Sequence, residues 1–167
     1  SALKEIKGKS HVIYLSPQGV VLDQKKSKKL SEIKEITLIC GRYEGIDQRF
    51  IDYNNIEEIS VGDYILSGGE IASFILIDAC VRLIPEVLGN SESLRSESFH
   101  DNLLEYSQYT KPSVWKKLKV PGVLLTGNHK KISDWRLKNS MEKTKKIRPD
   151  LYNLFVKEKK RKLWITY

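Results

Sequence analysis

Cysteine, histidine and long hydrophobic runs are scarce in this chain, and each scarcity excludes a class of protein. The two cysteines, Cys40 and Cys80, each sit inside an apolar run and have no metal-like partner spacing. Neither a disulfide framework nor a zinc site is expected, and a reducing cytoplasm fits. The three histidines are scattered, so no metal cluster is expected. The longest apolar run, Ile71 to Ile84, is broken by Asp78 and Arg82. It falls short of the roughly 20 residues a membrane-spanning helix needs. No G-x-x-x-x-G-K-[ST] occurs, and no G-x-G-x-x-G follows a strand, which removes the usual triphosphate and dinucleotide cradles.

What is present is an ordinary globular composition with an uneven charge. The chain has 167 residues, 40% apolar and 30% charged, enough for one domain or one domain with a small appendage. Residues 1–110 carry a net charge of −5 and residues 111–167 a net charge of +13. A basic third on an acidic body points to a polyanionic partner. A solvated basic face with a disordered tail is the plainer alternative.

The acidic part alternates short apolar runs with glycine punctuation. Strands are expected at His11–Leu15, Glu35–Cys40 and Ile56–Val61, with a short extension at Tyr64–Leu66. A polar helix is expected over Lys25–Lys34. A second helix, starting at Glu70, stopped by Pro85 and buried on most sides, follows from Ile71, Phe74, Ile75 and Ala79 with their apolar neighbours. This alternation argues for an α/β fold with a parallel sheet. Residues 89–112 read as a polar linker. Asn128 is the expected N-cap of a basic helix, Pro149 opens a further short helix, and Lys157–Lys162 reads as a charged tail.

Three glycine-bearing loops, Leu15–Gly19, Gly41–Gly45 and Ser60–Gly69, follow the three expected strands. In open α/β sheets, ligands bind beyond the carboxyl ends of the strands. Glycine lets main chain approach a ligand closely. Three such loops at one sheet end would make a pocket walled by main chain, suited to a neutral or cationic nucleoside.

The residues LSPQG at 15–19, GRYEGID at 41–47 and SVGDYILSGGE at 60–70 are similar to consecutive motifs of the bacterial tRNA (guanine-N1)-methyltransferases of the SPOUT superfamily. The series continues through Asp78, Arg82, Ile84-Pro85, Val87-Leu88-Gly89, Ser98-Phe99, Tyr109-Thr110, Val120-Pro121, Gly127-Asn128-His129, Trp135-Arg136-Leu137-Lys138 and Arg148-Pro149. The resemblance implies a parallel α/β domain with a deep trefoil knot (residues 1–88), a linker (89–112) and a small basic helical C-terminal domain that binds tRNA (113–167). It implies S-adenosyl-L-methionine held by Tyr14, Leu15, Ser16 and Pro17. A second wall is Gly41, Tyr43, Glu44 and Gly45. The third is Val61, Gly62, Asp63, Tyr64, Ile65 and Leu66, with Gly68 and Gly69. It further implies a homodimer whose active site is shared between subunits, and a reaction at the guanosine immediately 3′ of the anticodon.

Guanine N1 carries a proton at neutral pH, so methylating it calls for a base, and for positive charge near O6. By motif match the base falls on Glu97, where the family usually has aspartate, and the cation on Arg82. Gln108 is a second departure, at a position where histidine often precedes the tyrosine. Lys111, Lys130, Lys131, Arg136, Lys138 and Lys143 are the expected phosphate contacts. The sequence leaves Mg²⁺ assistance open. Two rivals stand beside this reading: a non-catalytic RNA-binding module of the same fold, and a SPOUT methyltransferase acting on another RNA site. The family carries several dozen residues ahead of the LSPQG strand, where here only Ser1–Ser10 precede His11. The expectation is that this chain alone binds cofactor weakly and methylates poorly or not at all.

Overall fold

The computed structural model describes residues 10–87, 97–99 and 101–165, without the side chains of 163–165. Motif residues Leu88 and Gly89, and the expected linker over 89–96, lie outside the described residues. The chain divides into two compact units, Ser1–Ser91 and Glu92–Tyr167.

The first unit is mixed α/β around a parallel three-stranded sheet. Its elements are β1 (His11–Val21), α1 (Gln24–Ser31), β2 (Ile36–Ile39), α2 (Gln48–Tyr53), β3 (Glu57–Ser60) and α3 (Gly69–Val81). β1 lies between β2 and β3, parallel to both. Alternate residues of β1 therefore feed two cores. Ile13 and Leu15 pack with Leu30 of α1, Ile59 of β3 and Ala72, Leu76 and Cys80 of α3. Tyr14, on the opposite face, packs with Ile51 of α2 and with Ile56.

Several expectations need correction. The Ser16–Gly19 segment does not end β1. Leu15 and Val20 both lie opposite Ile59, so the chain makes an excursion and rejoins the same strand. Gly19 permits the return: a Cβ built on it would lie 2.4 Å from the carbonyl carbon of Glu58 and from the amide nitrogen of Ile59. No strand forms at Tyr64–Leu66, and α2 was not anticipated, its six residues being too few to show a period. α3 is not buried on most sides. It buries Gly69, Ala72, Ser73, Leu76 and Cys80, whereas Ile71, Phe74, Ile75, Ile77 and Val81 are exposed, Phe74 by 66%. A helix apolar all round gives no periodic signal to separate its two faces.

The second unit contains a hairpin, β4 (Val114–Trp115) with β5 (Leu118–Lys119), a 3₁₀ turn at Gly122–Leu125, α4 (His129–Ile147) and α5 (Pro149–Ile165). Asn128 caps α4, accepting from the Lys131 amide at 3.1 Å. α5 runs for 17 residues, so the charged stretch Lys157–Lys162 is helix rather than tail. The hairpin was also not foreseen.

Residues 103–110 are irregular, and their main chain is satisfied by side chains of α4. Thr144 Oγ1 accepts from the Leu104 amide at 2.8 Å, Asn139 Oδ1 accepts from the Ser107 amide at 2.8 Å, and Lys143 Nζ donates to the Glu105 carbonyl at 3.1 Å. Buried backbone polar groups need such partners where no ladder supplies them. Among the described residues no helix is long and apolar enough to cross a membrane.

Candidate functional site

The three glycine loops meet. Tyr14–Pro17 close the first stretch of β1 and open its excursion, Gly41–Gly45 follow β2, and Val61–Gly69 follow β3, so the excursion and the two loops meet at one end of the parallel sheet. Together they enclose a cavity of about 240 Å³, a little under the roughly 300–1,000 Å³ usual for small-molecule sites. Every residue expected at the cofactor lines it except Glu44 and Asp63. Arg42, Ile59, Ser60, Ser67 and Ala72 also line it and were not singled out from the sequence.

Close main-chain packing makes these walls. A Cβ on Gly69 would lie 2.8 Å from Cys40 Cα and 3.0 Å from the Gly41 amide nitrogen. The Gly69 amide also donates to the Gly41 carbonyl at 3.0 Å. A Cβ on Gly41 would lie 2.8 Å from the Tyr14 ring, so the tyrosine serves the core and the cavity wall at once. The third loop braces itself: Gly62 N–H donates to Ser60 Oγ at 3.2 Å, and Tyr64 Oη donates to the Val61 carbonyl at 3.1 Å. Tyr43 stands on the rim, 99% exposed, with a left-handed φ of 59°.

Arg42 is the charged side chain of the lining, and it is committed to a partner. Its Nε donates to Glu70 Oε1 at 2.9 Å, and Nη2 lies 2.8 Å from the same oxygen. The Glu70 carboxyl is held below the usual range, first by its own backbone N–H and then by Arg42. This pair ties the second loop to the first turn of α3. Opposite charges directly after Gly41 and Gly69 were the signal available in the sequence. The remaining polar lining is main chain with the hydroxyls of Ser16, Ser60 and Ser67 and the tyrosines Tyr14, Tyr43 and Tyr64, beside apolar Leu15, Ile65 and Leu66. That donor set fits a nucleoside with an apolar arm and offers no cradle for a polyphosphate.

Arg82 is the C-cap residue of α3, its amide donating to the Asp78 carbonyl at 3.3 Å. It belongs to the first unit and Glu97 to the second, and both are half-buried. Of the expected phosphate contacts, Lys111, Lys130, Lys131, Arg136 and Lys138 are exposed. Arg136 stacks over the Tyr106 ring at 4.7 Å, and Lys138 lies 3.9 Å from Glu142. Lys143 is half-buried and spends its ammonium on the Glu105 carbonyl. Among the described residues no acidic, histidine or cysteine cluster could hold a metal ion. Both cysteines are free, and burial pushes the Cys80 thiol up.

A main-chain-walled cavity at the carboxyl ends of a parallel sheet defines an α/β protein that binds a small ligand at its strand ends. The family described as tRNA (Guanine-1)-methyltransferase TrmD matches residues 1–154. Among curated relatives, a Pelagibacter ubique protein is 53% identical over 87% of this chain and 64% of its own length. A Neorickettsia sennetsu protein is 55% identical over 83% and 62%, and one from Alkaliphilus oremlandii is 50% identical over 99% and 68%. All three carry the name tRNA (guanine-N(1)-)-methyltransferase. The chain belongs to this tRNA (guanine-1)-methyltransferase family, and it spans a little under two thirds of the length of the first two of these relatives.

Proposed function

We propose that the protein transfers a methyl group from S-adenosyl-L-methionine to N1 of the guanosine immediately 3′ of the anticodon, position 37, in tRNA. The observation that carries this is the convergence of the three motif loops on one cavity, in a chain whose relatives are named tRNA (guanine-N(1)-)-methyltransferase. The lining suits the nucleoside end of the donor through main-chain amides and carbonyls, and its apolar arm through Leu15, Ile65 and Leu66. When bound, the donor supplies an electrophilic methyl on a sulfonium sulfur.

The chain's own residues then have two tasks. The Glu97 carboxylate takes the N1 proton as N1 accepts the methyl, a form of help typically worth about 10² to 10⁴ in rate. The Arg82 guanidinium stabilises the negative charge that develops on O6. Glutamate reaches one methylene further than the aspartate usual in the family. A misplacement of ~1 Å can cost about 10²-fold, so the loop carrying Glu97 must compensate for that length. The basic second unit supplies phosphate contacts through Lys111, Lys130, Lys131, Arg136 and Lys138. The exposed stripe of Ile71, Phe74, Ile75 and Val81 on α3 supports a homodimer, since a second copy would cover it. The trefoil knot and the helical tRNA-binding domain belong to the same proposal.

Two measurements, made in a full-length context, test it together. Calorimetric titration with S-adenosyl-L-methionine should show binding, and incubation with unmodified tRNA should yield 1-methylguanosine by nucleoside mass spectrometry. Arg82→Ala and Glu97→Gln should lower turnover while leaving donor affinity near wild type. A methyl group found on ribose or on another base would refute the assignment, and a Glu97→Gln protein at full rate would remove Glu97 as the base.

A further inference from the structure

Residues 111–133 contain six lysines and no Asp or Glu, and the β4–β5 hairpin stands in their midst. The residues at two places in this hairpin are not those that its fold calls for. Its tip is Lys116-Lys117, with φ of 46° and 67°. Tight hairpin turns ordinarily give these left-handed positions to Asn, Asp or Gly, because a Cβ there strains the backbone. The second feature is display: Trp115 is 58% exposed, and Val114 and Leu118 are exposed beside it. Lys116 Nζ lies 5.0 Å from the Trp115 ring centroid. Immediately before and after the hairpin, the chain lines a groove of about 820 Å³ that includes Tyr106, Tyr109, Leu125 and Arg136.

We infer that the hairpin is a single-stranded RNA contact. Trp115 offers an aromatic face on which an unpaired base stacks, and Lys116, Lys117 and Lys119 hold the phosphates on either side. Aromatic faces interleaved with cations are the means by which proteins hold unpaired nucleotides. Paired bases leave no face free, so the contact falls on the loop side of a stem–loop. Three lysines with no acidic residue between them disfavour ordinary protein surfaces, which carry both signs of charge. The inference rests on the reading of tRNA as substrate and assigns to the hairpin the part that meets unpaired nucleotides.

The test is fluorescence anisotropy with a labelled, unmodified anticodon stem–loop, and with a blunt duplex of equal length for comparison. Trp115→Ala should weaken stem–loop binding by about tenfold, within the range for loss of one stacked base. Trp115→Phe should retain most of the affinity, and duplex binding should change little in either variant. Replacing both tip lysines, Lys116→Gly with Lys117→Gly, should lower the slope of log K against log salt by about 1.4, the value for two single-strand phosphate contacts. The same double variant should melt at or above the wild-type temperature, because glycine relieves the strained turn. Higher stability with weaker binding is an outcome that a merely structural hairpin cannot produce. Unchanged affinity and salt slope in these variants overturn the hairpin assignment and leave the tRNA reading standing. So does a Trp115→Ala protein that keeps its RNA affinity but changes oligomeric state, which would make the hairpin a protein contact. Failure of the wild-type chain to bind either RNA overturns both.

Discussion

Gly69→Ala is the substitution that most directly tests whether main-chain packing builds the cavity. Gly69 opens α3, and two effects favour alanine there. Helix propensity gains up to about 1 kcal/mol, and lower entropy of the unfolded chain gains roughly 0.4–1 kcal/mol. Against them stands the added Cβ, 2.8 Å from Cys40 Cα and 3.0 Å from the Gly41 amide nitrogen. Both neighbours are backbone, so no flexible side chain can swing aside. Ordinary contact requires them to part by more than half an ångström, which strains the 3.0 Å Gly69–Gly41 hydrogen bond. The two gains share one origin, the freedom of the glycine backbone, and together are worth about 1 kcal/mol. Overpacking of this kind costs about 1–3 kcal/mol, so the net change is a destabilisation of roughly 0–2 kcal/mol. In a unit of this size that is a melting temperature lower by up to about 10 °C. Donor affinity should fall more clearly than stability, because Gly41 and Gly69 both line the cavity. Gly122→Ala is the control, since a Cβ there meets nothing within 4 Å, and it should be neutral or slightly stabilising. Differential scanning fluorimetry and titration with S-adenosyl-L-methionine read the two effects. A Gly69→Ala protein that melts higher than wild type and binds the donor equally well would refute the reasoning.

Other substitutions probe the rest of the frame. Gly19→Ala drives a Cβ into the β3 backbone and should cost about 3 kcal/mol or more, at the upper end of overpacking penalties, measurable by urea denaturation. Thr144 is fully buried, and Thr144→Val leaves the Leu104 amide without its acceptor, a loss of about 1–3 kcal/mol by the same assay. Burial alone would raise the Glu57 carboxyl, but hydrogen bonds and charge from Lys26 and His11 outweigh it and hold the group below its ordinary value of 4.5. Its contribution to stability is therefore complete above that value and is lost as pH falls through the lower, folded one. Thermal melts across the acid range should show Glu57→Gln losing less stability on acidification than wild type.

The sequence carried much of the first unit in plain view. Runs such as His11–Leu15 and Glu35–Cys40 are short, apolar and closed by glycine, which reads as buried parallel strand. The loops of the cavity could be named because glycine and proline mark turns by local sterics. Asn128 was legible as a cap for the same reason, since capping involves only neighbouring residues. Less visible were features whose cause lies far away in the chain. The return of Val20 onto β3 depends on Ile59, and the Arg42–Glu70 tie joins residues 28 positions apart. The irregular segment at 103–110 depends on side chains of α4 some 40 residues later.

Local pattern thus determined the class of fold, the identity of the cavity loops and the division of charge, because turn sterics, apolar periodicity and net charge are properties of neighbouring residues. Tertiary structure alone decided that those loops converge, that one apolar face of α3 faces outward, and that Lys143 holds a carbonyl instead of standing free. Each of these depends on which distant surfaces meet, and burial and hydrogen-bond satisfaction can be assigned only once they have met.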